Sequence, residues 1–277
     1  MVVLLGLAAA IAYGISDFVG AFASRMHTAV TVLLYSYPVG AVLMTVLLPF
    51  FPGVLTGRAV VFGIAGGLTG LVGVTIMYTL MVTAPMNVIS PVTAVLAAIV
   101  PVVFGVLIGE RPQLAAWFGI LLGVGAVVLV SRTTDAHPHG RIALRVLALA
   151  AVSGLGFGFY FIFLARAGND SGLWPLVISR YACAIVIVPI AWQRRAFARV
   201  QGRMLAIVVS AGVFDALANM FFLLATRQGL LSLASVLTSL YPAVTVMLAV
   251  GLLHEHTSRV QRLGLALAAA AIVLITV

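Results

Sequence analysis

Ten apolar runs follow one another along this chain with almost no polar sequence between them. A helix needs about 20 apolar residues to cross the hydrocarbon core of a bilayer, and the runs have about that length. Lipid cannot pair free backbone N–H and C=O groups, so each run is predicted to be a helix. The sequence therefore predicts an all-α membrane protein with ten transmembrane helices, over 2–22, 28–50, 59–82, 85–107, 113–131, 142–164, 172–192, 203–225, 229–252 and 258–276.

The overall composition excludes a soluble domain of any size. Hydrophobic residues make up 64% of the 277 residues and charged residues only 8%, which leaves too little polar surface for contact with water. The first run lacks a basic segment before it and is longer than the apolar part of a signal peptide, so it is predicted to be the first helix. We expect a multi-pass integral protein of a plasma membrane, specifically a bacterial inner membrane.

The net charge of +9 comes from fifteen basic residues, all of them arginine. Fourteen lie at the ends of the runs or between them, where headgroups and membrane topology use them, so no nucleic-acid partner is expected. The absence of lysine excludes a P-loop and any lysine-bound pyridoxal phosphate or retinal. The histidine pairs at 137–139 and 254–256 have no second ligand cluster, so neither a metal nor a cofactor is expected.

A polar linker divides the chain into two similar halves. The predicted domains are a first five-helix repeat over 1–131, the linker over 132–141, and a second five-helix repeat over 142–277. Because five is odd, homologous halves must insert with opposite orientations, and such inverted repeats carry their site near the midplane. At an offset of 145 the matched residues are Ser90 with Ser235, Thr93 with Thr238, Glu110 with Glu255, and Gly119 with Gly264.

Several motifs in order resemble one known family. They are "YGISDF" in the first run, "ISRYACAIVIVP" in the seventh, "ATRQGLLSLASVLTSLYP" leading into the ninth, and "GERPQLAAWFGILLGVGAVVL" with its counterpart "HEHTSRVQRLGLALAAAAIVL". The chain thus resembles the drug/metabolite transporter superfamily, specifically its EamA-type ten-helix transporters. The resemblance implies a secondary transporter of small metabolites, amino acids or drugs. Two departures are Tyr37, near where the other half has Arg180, and the acidic Asp17.

Three charged residues lie inside the runs: Asp17 in the first, Arg180 in the seventh and Asp215 in the eighth. Each costs about 2.5–3.5 kcal/mol at the centre of a membrane helix, so all three are predicted to line a polar cavity. Helical spacing adds polar neighbours on the same faces. The candidate substrate- and ion-binding residues are Asp17, Arg180, Asp215, Asn219, Tyr13, Tyr78 and Asn87.

Two interpretations of these charges stay open. Asp17 could exchange a proton or cation while Arg180 anchors a substrate anion or Asp17. Alternatively, Arg180 could pair with Asp17 or Asp215 in an ion pair that only fixes helix packing. Prolines in the fourth and ninth runs indicate a cavity there. Glu110 and Glu255 are expected to cap helices or to be solvated.

Together these features predict an exporter of small molecules that works by alternating access through a cavity between two inverted repeats, with protons as a candidate coupling ion. An uncoupled facilitator or channel is the first alternative. An intramembrane enzyme is remote, because neither aspartate lies in a GxGD motif, and no enzymatic activity is expected. The expected partners are the small-molecule substrate and membrane lipid. The sequence leaves open the substrate, the direction of transport and the oligomeric state.

The orientation in the membrane is also open. The odd-numbered connections between runs, with the adjoining run ends, hold ten arginines and the even-numbered ones hold four. The positive-inside rule would put the ten-arginine face in the cytoplasm and both termini outside. The family resemblance implies the reverse, and it is the interpretation we favour because short loops make the arginine count a noisy guide.

Overall fold

A computed structural model of the protein describes residues 1–83, 86–130, 144–253 and 258–276. The described chain is helical almost throughout. Its helices are α1 Val2–Met26, α2 Ala29–Leu47, α3 Gly57–Thr83, α4 Met86–Leu107, α5 Leu114–Val130, α6 Leu144–Arg166, α7 Trp174–Gln193, α8 Gly202–Gln228, α9 Leu231–Thr238, α10 Tyr241–Leu253 and α11 Arg259–Thr276.

The prediction of an all-α membrane protein is confirmed, whereas the number of ten transmembrane helices stays a prediction. Within the described residues, six helices are long and apolar enough to cross a bilayer, and α4, α5 and α9 with the start of α10 add shorter apolar segments. The six are Val2–Met26, Ala29–Phe50, Gly57–Val82, Leu144–Arg166, Trp174–Gln193 and Gly202–Gln228.

The ninth apolar run differs from its prediction, since it forms two helices, α9 and α10, rather than one. The chain turns at Ser239 and Leu240, just before Pro242. Proline has no N–H to bond the carbonyl of Thr238 four residues earlier, and its ring clashes with that carbonyl. The apolar composition of the run could not show this break, although Pro242 is the residue that causes it.

Many helix contacts between the two halves come in pairs, in which corresponding helices of the two halves take each other's place. The first helix of each half packs on the third helix of the other, as α1 on α8 and α6 on α3. Likewise α2 packs on α8 as α7 packs on α3, and α4 on α6 as α9 and α10 on α1. Contacts of α2 with α7, α4 with α9 and α5 with α11 join equivalent helices. The most extensive contacts across the halves therefore have counterparts in which the halves change places.

Two glycines 145 residues apart make equivalent close crossings. A Cβ on Gly67 of α3 would lie 2.8 Å from the carbonyl oxygen of Ser179 in α7. A Cβ on Gly212 of α8 would lie 2.6 Å from the carbonyl oxygen of Ser36 in α2. Only glycine permits these backbones to approach so closely, which is how small residues pack membrane helices.

A serine hydroxyl bonds to the neighbouring helix in both of two matched contacts, α1 on α8 and α6 on α3. Ser16 Oγ donates to the carbonyl oxygen of Ala211 at 2.9 Å, and Ser153 Oγ donates to that of Gly73 at 2.7 Å. All four residues are buried, and a buried hydroxyl without a partner is costly. These bonds fix the rotation of α1 and α6 and thereby decide which side chains face the centre.

Glu110 caps α9 from the other half of the chain. Its Oε1 accepts from the backbone N–H of Leu231 at 2.7 Å, and its Oε2 accepts from that of Ser232 at 3.1 Å. The first residues of a helix have free N–H groups and a positive dipole end, both of which favour a carboxylate. The expectation that Glu110 caps a helix is confirmed, and the cap joins the two halves on one face of the protein.

Replacing Glu110 by Ala is expected to lower the unfolding free energy by about 1–2 kcal/mol, since it frees two N–H groups and removes a charge at a helix N-terminus. Glu110→Gln should lose about half as much, because an amide offers one acceptor oxygen. Thermal unfolding in detergent measures both. Gln113→Ala, an exposed change in the same loop, is the matched control, and an equal loss there would contradict the cap.

Candidate functional site

A narrow cavity of about 50 Å³ lies at the centre of the helices. Helices α1, α2 and α3 of the first half and α6, α7 and α8 of the second half surround it. Each buried water needs roughly 10–15 Å³ of such space, so the cavity has room for a few water molecules. Its polar lining consists of Tyr13, Ser16, Ser36, Tyr37, Tyr78, Tyr160, Ser179, Arg180, Cys183, Asp215 and Asn219.

One continuous polar network crosses this cavity from α7 through α8 to α1. Arg180 Nη1 pairs with Asp215 Oδ2 at 2.5 Å. Asn219, one turn further along α8, donates from Nδ2 to the Asp215 carbonyl oxygen at 2.6 Å. Tyr13 Oη then donates to Asn219 Oδ1 at 2.5 Å. The network satisfies an ion pair inside the membrane and links the two halves through side chains.

Arg180 is more deeply buried than its partner, since its side chain is 5% exposed whereas that of Asp215 is 33% exposed. Its guanidinium carbon lies 5.5 Å from the centre of the Tyr37 ring, which adds a cation–π contact. Within the described part of the chain, its Nε and Nη2 have no hydrogen-bond partner. The guanidinium therefore keeps donors that a polar group entering the site could use.

Asp17 lies beside the cavity rather than in its lining. It is nine-tenths buried and follows Ser16, which does line the cavity. The described residues give it neither an ion pair nor a hydrogen bond; its electrostatic neighbours are Asp215, Tyr78 and Tyr241. The Tyr78 hydroxyl packs directly against Gly20 of α1, one turn beyond Asp17. The arginine–aspartate pair predicted as an alternative thus forms with Asp215.

The site brings together five of the seven candidate residues, and Asp17 lies next to them. The side chain of Asn87 is outside the described residues, as are Glu255, the linker 132–141 and the histidine pairs. Among the described residues, the lining of the central cavity has no member from α4, α9 or α10, so the cavity indicated by the prolines of the fourth and ninth runs stays a prediction.

Sequence reasoning missed two tyrosines of this site. Tyr37 and Tyr160 both line the cavity and are 7% and 6% exposed. A tyrosine in the middle of an apolar run is a usable signal, because a buried hydroxyl needs a polar partner or water. Tyr37 had been noted only as the counterpart of Arg180.

Aromatic side chains close one side of the network. Phe161 of α6 stacks on Phe222 of α8 with ring centres 4.1 Å apart. Tyr13 meets Phe161 at 6.2 Å and Tyr241 at 6.3 Å in tilted arrangements. These ring contacts hold the Tyr13 ring in place.

Replacing Tyr13 by Phe is expected to cost about 1 kcal/mol of unfolding free energy, because the ring contacts survive while Asn219 Oδ1 loses its donor. The measurement is thermal unfolding in detergent, with Asn219→Ala and the double variant completing a double-mutant cycle. A coupling free energy of zero would show that the Tyr13–Asn219 bond does not contribute.

Comparison with known proteins gives a family and a fold. The model of the EamA-like transporter family matches the chain twice, over residues 1–132 and 144–277. One solved structure, described only as the crystal structure of a protein, is similar with a TM-score of 0.79 at 20% identity, over 99% of this chain and 96% of the other. At that identity the likeness concerns the fold alone. No curated protein matches the sequence.

Proposed function

The chain belongs to the EamA-like transporter family, and we propose that it is a secondary transporter that moves a small molecule by alternating access. Members of this family are membrane transporters of small molecules. In this proposal the substrate passes through the central cavity, and the direction of transport is export from the cell. Candidate substrates are small metabolites, amino acids or cationic drugs.

The observation that carries this proposal is a polar network enclosed between two halves of the chain. Three helices from each half surround the cavity, and its volume of about 50 Å³ is far below the roughly 300–1,000 Å³ of ordinary ligand pockets. A substrate can therefore bind only when the halves move apart. Alternate opening toward the two faces is the motion that inverted repeats permit.

The exchanged helix contacts support an inverted arrangement of the two halves. The equivalent crossings of Gly67 and Gly212, and the matched bonds of Ser16 and Ser153, are the residue-level counterparts of that exchange. Two family matches of similar length agree with it. In an inverted arrangement, rocking one half against the other replaces its present contacts by equivalent ones. We therefore expect the states open to the two faces of the membrane to have similar free energies.

Asp17 and Arg180 have different roles in the proposal. Asp17, which has no described partner to hold it in one charge state, exchanges a proton or a cation. Arg180, whose Nε and Nη2 have no described partner, offers donors to a polar group of the substrate. Asp215 holds the guanidinium in place, and Asn219 bonds to Asp215. Tyr13 ties this assembly to α1, so that movement of α1 during opening changes the site.

The test is transport by the purified protein in liposomes. Counterflow of labelled amino acids and cationic drugs, followed at several pH values, detects a substrate whether or not its transport moves charge. We expect at least one compound to exchange in liposomes with protein and not in protein-free liposomes. A pH gradient should then drive its accumulation above equilibrium. Counterflow without such accumulation would indicate an uncoupled facilitator, and absence of counterflow across the panel would contradict a transporter of these compounds.

The enzyme alternative receives no support from the site. Aspartyl proteases need two adjoining carboxylates that share a proton. Here Asp215 pairs with Arg180 and contacts Asn219, and its charge is already neutralised. The family membership agrees with a protein that is not an enzyme.

A further inference from the structure

A second and larger cavity opens at one end of the helices, well apart from the central network. It has a volume of about 780 Å³ and lies among the C-terminal ends of α1, α3 and α7 and the start of α2. We call it the basic groove. Its lining includes Ser24, Arg25, His27, Arg194 and Arg195.

The basic groove concentrates positively charged side chains. Arg25, Arg194 and Arg195 are exposed and share the groove with His27, and none of its described lining residues is acidic. The hydroxyl of Ser24 is buried there without a described partner. Guanidinium groups present paired N–H donors that match the oxygens of phosphate. The groove is therefore suited to a phosphate-bearing anion.

Arg195 occupies a backbone conformation that arginine rarely adopts. Its φ is 50°, and it is the one residue other than glycine with positive φ in the described chain. It follows the end of α7 at a position where glycine is usual, with Ala196 N–H bonded to Ala191 O and Arg195 N–H to Trp192 O. Glycine would be free of strain here. Contacts elsewhere in the fold must offset this backbone strain. In return, Arg195 places a further guanidinium group in the groove.

The loop carrying these arginines is anchored rather than free. Thr31 Oγ1 in α2 donates to the carbonyl oxygen of Ala196 at 2.9 Å in a buried contact. Thr28 caps α2 by accepting from the Thr31 N–H. These bonds anchor the loop that carries Arg194 and Arg195, which line the same groove as Arg25.

We propose that the basic groove binds the headgroup of an anionic phospholipid. It lies at the ends of membrane-spanning helices, which is the level of the headgroups. Its wall also includes Met26 and Val82, which are 66% and 52% exposed. An acyl chain can lie along these side chains while the arginines hold the phosphate. A free phosphate ion would make no use of the apolar wall, which favours the lipid.

The test compares lipids by their effect on thermal unfolding of the full chain in neutral detergent. A ligand that binds only the folded state raises the unfolding midpoint. We expect phosphatidylglycerol to raise the midpoint, and phosphatidylcholine and inorganic phosphate to raise it little. The doubly substituted Arg25→Gln, Arg194→Gln protein should lose the effect. The matched control, Arg259→Gln with Arg262→Gln, removes two charges outside the groove and should keep it.

Arg195→Gly separates binding from folding. We expect a higher unfolding midpoint than wild type in neutral detergent, because the strain is relieved, together with a smaller shift on adding phosphatidylglycerol. An equal lipid shift in wild type and in all groove variants would overturn the proposal. So would an equal loss in the control protein, which would indicate a general charge effect, or a full shift from inorganic phosphate alone, which would indicate a soluble anion site.

Discussion

Replacing Asp215 by Asn is expected to lower the unfolding free energy by about 3–5 kcal/mol, the cost of removing one partner from a buried ion pair. The change leaves Arg180 charged with a side chain that is only 5% exposed. Arg180→Gln should cost less, because the carboxylate it leaves unpaired is 33% exposed and can reach water. The order of the two effects is thus set by which stranded charge is more deeply buried.

Thermal unfolding of both variants and of the Arg180→Gln, Asp215→Asn double variant measures this prediction. The double variant should be more stable than Asp215→Asn alone, because no buried charge is left without a partner. Arg166→Gln is the matched control, since Arg166 is exposed at the end of α6, and changes of that kind usually stay within about 0.5 kcal/mol. An Asp215→Asn protein as stable as this control would show that the pair does not stabilise the fold.

Replacing Asp17 by Asn is expected to abolish accumulation driven by a pH gradient while leaving the fold intact. The described residues form no ion pair or hydrogen bond with Asp17, so the amide should change the unfolding free energy by no more than about 0.5–1 kcal/mol. The substituted side chain has nearly the same shape but cannot gain or lose a proton. Substrate accumulation should therefore fall to the equilibrium level, whereas counterflow without a gradient should persist.

The two readouts separate the roles that the sequence left open. A proton-carrying Asp17 loses gradient-driven accumulation without losing stability. An Asp17 that only packs helices would behave in the opposite way, with lower stability and unchanged coupling. Asp215→Asn, assayed alongside, is expected to lower stability whether or not it affects coupling. Equal accumulation by wild type and Asp17→Asn would exclude Asp17 as the coupling site.

The sequence identified most residues of the candidate site individually, but it did not predict which of them would contact one another. Asp17, Arg180 and Asp215 stood out because charge inside an apolar run is costly wherever the helices lie. The spacing of four placed Tyr13 near Asp17 and Asn219 near Asp215 on their own helices. It could not show that Tyr13 would bond to Asn219, or that Arg180 would pair with Asp215, because these contacts join segments far apart in the chain.

The prolines are a second example of a local signal that does not identify distant contacts. The ninth run breaks just before Pro242, whereas α2 and α7 continue through Pro38 and Pro189, and the central cavity lies among α1, α2, α3, α6, α7 and α8. A local break in a helix carries no information about which face of the bundle it meets. The close crossings at Gly67 and Gly212 decide that face, and they depend on the backbone of a distant helix.

The sequence by itself determined that this chain is an all-α membrane protein, because apolar length and backbone hydrogen bonding are local properties. It also determined the cost of each intramembrane charge and the match of Glu110 with Glu255. Only the tertiary structure decided the partner of Arg180, the exclusion of Asp17 from the cavity lining and the cap that Glu110 forms on α9. The reason is that helix rotation and register arise from packing between the halves, which no single run encodes.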